Sequence, residues 1–313
     1  MRRTRQPAVT VAVVVKNRRD WMARCLDAIL AQTGVTVDVD ILVVDNGSTD
    51  GTYEFLLERA QDAPDLRVVQ DLGSLGHIRN VALHEAQGRV VAFTDSDCVP
   101  EPTWLAAGLR ELTEGVGVVQ GRTVPIRPVG SWEATISVTS FSHRYETCNI
   151  FYDREALLSV GGFGAAMPQI GEDMVAGWRV REAGWQTVFA EAAVVAHEVT
   201  YPTIRWWLRR AWRYECWPQL IKEFPAARDV LLYRRYFLNR RQVMAIAAVL
   251  GAVASVALLS PWPALLIVPL VWRWRPSPRR GRTVRNSCCA VLYDVACLGG
   301  LIRGSLKARV LVL

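Results

Sequence analysis

The sequence predicts an α/β fold, a mostly parallel central sheet with helices on both faces, followed by a C-terminal helical, membrane-associated region. Three observations predict it. From residue 8 to about 122, short β-branched runs alternate with helical stretches. Residues 243–260 form an apolar run without a charge, bounded by arginines. The charge is divided: residues 1–200 hold 18 Lys+Arg against 26 Asp+Glu, a balance of −8, and residues 201–313 hold 19 against 4, a balance of +15. Seven of the twelve Trp share that second stretch. The net charge of +7 over 313 residues therefore describes neither part, and a uniformly basic surface is excluded. At 51% hydrophobic and 21% charged residues the chain is neither disordered nor fibrous.

The valine-rich run 9–15 reads as a first strand. The start MRRTRQP is basic, but the apolar run ends at Lys16 with no small-residue cleavage site, so a strand is expected and not a signal peptide. Asp20 to Gln32 carries Trp21, Cys25, Leu26 and Ile29 at helical spacing. A second strand, 39–44, precedes a helix through Tyr53, Phe55, Leu56 and Leu57. A strand at 66–70, a helix from about Leu75 to Gln87 and a strand at 89–94 continue the alternation. Near-continuous apolar strands separated by helices imply a parallel sheet covered on both faces, whose ligands bind beyond the carboxyl ends of the strands. Residues 130–200 read as mixed: a strand near Thr147–Tyr152, a Gly-rich turn at Gly161–Gly164, a helix from Glu172 to Ala183 and a strand ending near His197.

Residues 203–214 place Ile204, Trp207, Leu208 and Ala211 on one helical face among arginines, an interfacial amphipathic pattern. At about 1.5 Å per residue, the eighteen residues 243–260 span about 26 Å, near the thickness of a thin bilayer core. The following run, 264–272, is too short to cross by itself. Arginines flank both sides (Arg234, Arg235, Arg240, Arg241; then Arg273 to Arg285), so a hairpin turning at Pro261–Pro263 with both flanks in the cytosol is expected. A third apolar stretch, 287–302, is interrupted by Asp294. Because the arginines bracket apolar runs, a membrane partner through residues 201–313 is expected and nucleic acid is not. The seven cysteines form no Cys-x-x-Cys pair, which signals no zinc or redox motif and fits a reducing compartment.

Asp95-Ser96-Asp97 follows an apolar strand. Two carboxylates one residue apart can hold Mg²⁺ or Mn²⁺ against a substrate diphosphate. Spacing alone does not single them out: Asp38-Val39-Asp40 has the same spacing but precedes its strand, where a solvated turn is expected. Asp45 ends the second strand ahead of a Asn-Gly turn in which Ser48, Thr49 or Asp50 caps the next helix, and its carboxylate could accept from a nucleobase or ribose. Arg79, near a helix start, suits a phosphate or base, or is a surface arginine. Glu172-Asp173 at a helix start either complements the helix dipole or supplies a general base. His197 ends a strand, where it is structural or a metal ligand. Templates for dinucleotide binding, a phosphate loop and a Ser nucleophile are missing.

Taken together, VAVVVKNR, ILVVDNGSTDGT, LGHIRNVAL, VVAFTDSDC, CNIFYDREALLSVGGF and GEDMVAGWRVREAGW, in that order and spacing, resemble a family 2 inverting glycosyltransferase over about residues 8–200. The resemblance implies the GT-A fold, with a nucleotide-binding half at about 8–122 and an acceptor half at about 123–200. An amphipathic linker (201–242) and membrane-associated helices (243–313) would follow. It implies that Asp45, Arg79, Asp95 and Lys16 contact the nucleotide-sugar donor, and that Asp97, Asp95 and His197 hold the divalent cation. It also implies that Asp173, with Glu172 beside it, is the catalytic base. The family's first strand usually ends in Pro-Thr-Tyr or similar, whereas here Val15-Lys16-Asn17 stand. The expected activity is sugar transfer to an acceptor hydroxyl of a glycan, lipid or small molecule, at the cytosolic face of the cell membrane. A sugar nucleotidyltransferase, which would release pyrophosphate, and a non-catalytic nucleotide-sugar sensor are the alternatives.

Overall fold

A computed structural model describes residues 8–164, 171–276 and 283–313. The basic start at residues 1–7 and the arginines of 277–282 lie outside the described residues. The chain divides into two compact units, residues 1–127 with 135–199, and residues 128–134 with 200–313.

The first unit is built on one eight-stranded sheet. Its strands are β1 (Val9–Val15), β2 (Val39–Asp45), β3 (Leu66–Gln70), β4 (Val90–Asp95), β5 (Cys98–Pro100), β6 (Val116–Pro125), β7 (Asn149–Asp153) and β8 (Gln186–His197), in the order β3-β2-β1-β4-β7-β6-β8-β5. The helices α1 (Arg19–Leu30), α2 (Thr52–Asp62), α3 (Leu75–Glu85), α4 (Trp104–Glu111), α5 (Arg154–Ser159) and α6 (Glu172–Glu182) cover both faces. The expected parallel arrangement holds for β3, β2, β1 and β4; the valine-rich runs of β1 and β2 are buried along nearly their whole length, whereas β3, at the sheet edge, is only partly covered. β7 then pairs antiparallel with both β4 and β6, so the sheet is mixed beyond the fourth strand.

Two features of the sheet position the site. β1 is central and in register with β2 on one side and β4 on the other, which brings Val15 level with Asp45 and Val14 level with Asp95. Only Ser96 and Asp97 connect β4 to β5, although β7, β6 and β8 lie between them in the hydrogen-bonded order. The sheet therefore curls, and β5 meets the end of β8 with Cys98 opposite His197.

Asp40 corrects an expectation. It lies within β2 and is buried, accepting from Thr10 Oγ1 at 2.9 Å and from Arg67 Nε and Nη2 at 2.8 Å each. A bidentate arginine and a hydroxyl satisfy the carboxylate, so Asp38-Val39-Asp40 is not a solvated turn.

The second unit holds α7 (Ile204–Trp212), a 3₁₀ turn (Arg213–Cys216), α8 (Trp217–Glu223), α9 (Ala227–Leu231), α10 (Arg240–Ala257), a 3₁₀ segment (Trp262–Ile267), α11 (Val268–Trp274) and α12 (Val284–Ala308). The chain does turn back after α10: a Cβ on Gly251 would lie 2.3 Å from the Pro263 carbonyl oxygen, a contact that holds the returning leg against the helix. α12 is continuous through Asp294. That carboxylate is fully buried, accepts from Trp274 Nε1 at 2.7 Å and lies 3.7 Å from Arg241 Nη1, so it does not interrupt the helix. α10 and α12 are each long and apolar enough to cross a membrane. Leu250, Val253, Val256, Leu259 and Trp262 remain exposed, Leu259 at 93%.

Candidate active site

The carboxyl ends of β1, β2 and β4, the first turn of α6 and the end of β8 contribute the candidate residues. Asp45 is fully buried at the end of β2. Its Oδ2 accepts from Ser48 N at 2.9 Å and Gln70 Nε2 at 3.0 Å, while Oδ1 is buried with no hydrogen-bond partner among the described residues. A buried acceptor lacking a donor is costly in a closed protein, and a ligand N–H or O–H would satisfy it. Lys16 is exposed, one residue past β1. The turn after it is fixed to the β2 loop: Asn17, at φ +52°, donates its N–H to Ser48 Oγ at 2.9 Å and accepts from Thr49 N at 2.7 Å.

Arg79 is no surface arginine. It is 6% exposed on α3, pairs through Nη1 with Glu172 Oε1 and places Nη2 3.4 Å from Asp95 Oδ1. Burial alone would lower its pKa, but Asp95, Glu172 and Asp173 outweigh that effect and raise it, so the guanidinium stays charged. It ties the carboxylate at the end of β4 to the first turn of α6.

Gly171, at φ +102°, lets the chain turn directly into α6, so Glu172 and Asp173 open the helix. The pair expected to act together is divided. Glu172 is buried at 4% exposure and engaged by Arg79. Asp173 keeps solvent access and accepts Met174 N at 2.8 Å through Oδ1. Burial, then the neighbouring Glu172 charge, holds the Asp173 carboxyl well above the usual range, and Arg79 opposes this only in part. A carboxyl held so high has the proton affinity that a general base needs.

Asp97 lies in the turn after β4. Burial and the charge of Asp95 raise its pKa, against His197 and Arg18, which lower it. His197 Nδ1 lies 2.8 Å from the Glu198 carbonyl and 3.3 Å from Thr135 Oγ1. If Nδ1–H donates to that carbonyl, Nε2 presents its lone pair toward Asp97 Oδ1, 3.6 Å away. A lone pair facing a carboxylate fits an intervening cation. Asp97, His197 and the Cys98 thiol each place a ligand atom within 4.8 Å of the others. Oxygen and imidazole donors suit Mn²⁺, and the buried thiol, its pKa raised by burial, is a softer neighbour. Asp95, expected among the metal ligands, is not in this three-residue group; its Oδ1 lies 3.4 Å from Arg79 Nη2.

Two residues that the sequence reading did not single out join the site. Arg18 places Nη1 2.7 Å from Glu198 Oε2 and Nη2 3.7 Å from Asp97 Oδ2. Glu198 N donates to the Asp97 carbonyl at 3.0 Å, which holds the β8 end against the Asp97 turn. The KNRRD and HEV segments that carry them are 180 residues apart, and no local spacing links them.

The comparisons with known proteins concern family and fold. The model of Glycosyl transferase family 2 matches residues 10–167, half of the chain, and that of Glycosyl transferase family group 2 matches residues 90–275. Glycosyltransferase AglE of Haloferax volcanii is 28% identical over 205 residues, 61% of this chain and 67% of its own length. Glycosyltransferase GlyA of Streptococcus pneumoniae is 33% identical over 107 residues, 34% of this chain but only 15% of its own length. The fold is shared with the mannosyltransferase PcManGT from Pyrobaculum calidifontis, solved in complex with GDP-Man and Mn²⁺. That match has a TM-score of 0.58 at 21% identity, covering 98% of this chain and 88% of that one. The motifs along the β1–β4 sheet edge and the match over half the chain lead to one assignment: the chain belongs to glycosyl transferase family 2 and is a glycosyltransferase of the GT-A fold.

Proposed function

We propose that the protein is a metal-dependent, inverting glycosyltransferase. It moves a sugar from a nucleoside-diphosphate donor to an acceptor hydroxyl at the cytosolic face of a membrane. The observation that carries this reading is Arg79, whose two arms join the carboxylate at the end of β4 to the first turn of α6.

Asp45 offers its free Oδ1 to a nucleobase or ribose donor group. Asp95, oriented by Arg79, lies beside the path of the ribose and diphosphate, and Lys16 supplies a mobile positive charge at the rim. Asp97 and His197 would hold Mn²⁺ or Mg²⁺, which when bound supplies charge neutralisation for the departing nucleoside diphosphate. Asp173 removes the proton from the acceptor hydroxyl as that oxygen attacks the anomeric carbon from the face opposite the leaving group. One displacement inverts the configuration, and no Ser or Cys nucleophile is needed. Glu172 keeps Arg79 in place and so positions Asp95. The exposed apolar surface of α10 and its returning leg, flanked by arginines, supports membrane attachment and makes a lipid or lipid-linked acceptor the preferred class.

A panel of nucleotide sugars, incubated with Mn²⁺ or Mg²⁺ and scored for release of nucleoside diphosphate, tests the reading. At least one donor is expected to be turned over, with Asp97→Asn reducing turnover by about 100-fold or more. If no nucleotide sugar is bound or hydrolysed by the intact protein, the proposal fails.

A further inference from the structure

Arg18 occupies a position that the reaction outlined above does not use. It follows β1, the strand between β2, which ends in Asp45, and β4, which ends in Asp95. Its guanidinium spans Glu198 Oε2 and Asp97 Oδ2. The backbone beneath it is fixed. Arg18 N donates to Thr52 Oγ1 at 3.2 Å, and Asn17 is held on both sides by the Ser48-Thr49 turn. The side chain, 39% exposed, retains freedom that the loop lacks.

We infer that Arg18 is an internal counter-cation: its guanidinium balances Asp97 and Glu198 before ligands bind, and it moves onto the donor's diphosphate when a divalent cation takes Asp97. The inference rests on the reading of Asp97 as a cation ligand. Asp95, Asp97 and Glu198 bring three carboxylates to one small region. Arg79 answers Asp95, which leaves Arg18 beside the other two. Arg18 Nη2 faces Asp97 Oδ2 while His197 Nε2 faces Oδ1, so a divalent cation held between Asp97 and His197 would lie across the same carboxylate from the guanidinium and repel it. That repulsion favours withdrawal of the arginine from Asp97, and beside Glu198 the new anion offered to it is the diphosphate that accompanies the cation. A planar guanidinium matches two phosphate oxygens at once. The site would thereby couple cation binding to donor binding.

The test is Mn²⁺ titration followed by loss of the free-ion electron paramagnetic resonance signal, on the full chain, with and without saturating UDP or GDP. Without nucleotide, Arg18→Met is expected to bind Mn²⁺ about tenfold tighter than wild type. With saturating nucleotide that gap is expected to close, because the arginine has left Asp97 in the wild type as well. Calorimetry should show nucleotide affinity in the presence of Mn²⁺ reduced about tenfold in Arg18→Met, and reduced less in Arg18→Lys. Arg19→Met, which removes a neighbouring charge that does not touch Asp97, should change neither affinity.

Equal Mn²⁺ affinity in wild type and Arg18→Met overturns the inference. So does a gap of the same size with and without nucleotide, or the same effect from Arg19→Met, since each reports only a general change of charge. Melting curves check folding. If Arg18→Met does not fold, Arg18→Lys decides, and unchanged nucleotide affinity in that variant overturns the proposal. If the wild type binds neither Mn²⁺ nor nucleotide, the proposed function falls with the inference. If it binds both and Arg18→Met behaves identically, only the role of Arg18 falls.

Discussion

Asp173 shows how a single carboxyl can be useful to function and costly to the fold. Its pKa is raised by burial and by the adjacent Glu172. As the proposed base it would work only when ionised, so transfer is expected to rise with pH through that elevated range. The stability consequence has the opposite sign. A carboxyl with a raised folded pKa costs nothing below its unfolded pKa of about 4, and it destabilises progressively as pH rises above that value. Asp173→Asn is therefore expected to lose about 100-fold or more in transfer rate. Its melting temperature at neutral pH should exceed the wild type's, with the difference shrinking toward pH 4. Retained transfer in a folded Asn variant would remove the base assignment. Other residues show the limits of local reading. Asp40 and Asp97 each belong to an Asp-x-Asp pair, but Asp40 is claimed by Arg67, 27 positions away, and Asp97 is flanked by Arg18, His197 and Glu198. Spacing cannot distinguish the two, because the distinction lies in which distant side chain completes each environment.

Elements were legible where one segment decides its own state. The valine-rich strands β1, β2 and β4 and the helices between them follow from β-branched runs and helical periodicity. β5 was not legible: its three residues form a strand only because they pair with the end of β8, about a hundred residues later. α12 passes through Asp294, which reads as an interruption until Trp274 supplies its donor. α6 depends on a close approach. A Cβ at Gly177 would lie 2.0 Å from the Tyr145 ring, which is itself fully buried. Gly177→Ala is expected to cost about 1–3 kcal/mol, since ring and helix are both enclosed and neither can move aside freely. Denaturant unfolding would measure this. Because α6 carries Asp173 and the Glu172 partner of Arg79, the transfer rate should fall as well. A wild-type midpoint in this variant would show that the loop around Tyr145 yields instead of the helix.

At the scale of the whole molecule, the charge divided along the chain distinguishes the work of its two parts. On the proposed reading the carboxylates of residues 1–200 would serve a cation and an anionic donor, and the excess of arginine after residue 200 brackets apolar runs. The full chain is expected to float with vesicles containing anionic lipid and to bind neutral vesicles more weakly. Added salt should reduce the anionic-lipid advantage while leaving the apolar contribution in place. Equal recovery on both vesicle types would assign attachment to the apolar surface alone, and no flotation on either would remove the membrane reading. The sequence by itself determined the alternation of strands and helices from β1 to β4, the acidic and basic parts, and the motifs of the family, because each depends on composition or spacing within a short stretch. Only the tertiary structure decided which acids lie near one another, that Asp95 meets Arg79, that Asp97 meets His197, and that Arg18 and Glu198 meet across 180 residues. Those pairings depend on the curl of the sheet, a long-range property that no local run of residues encodes.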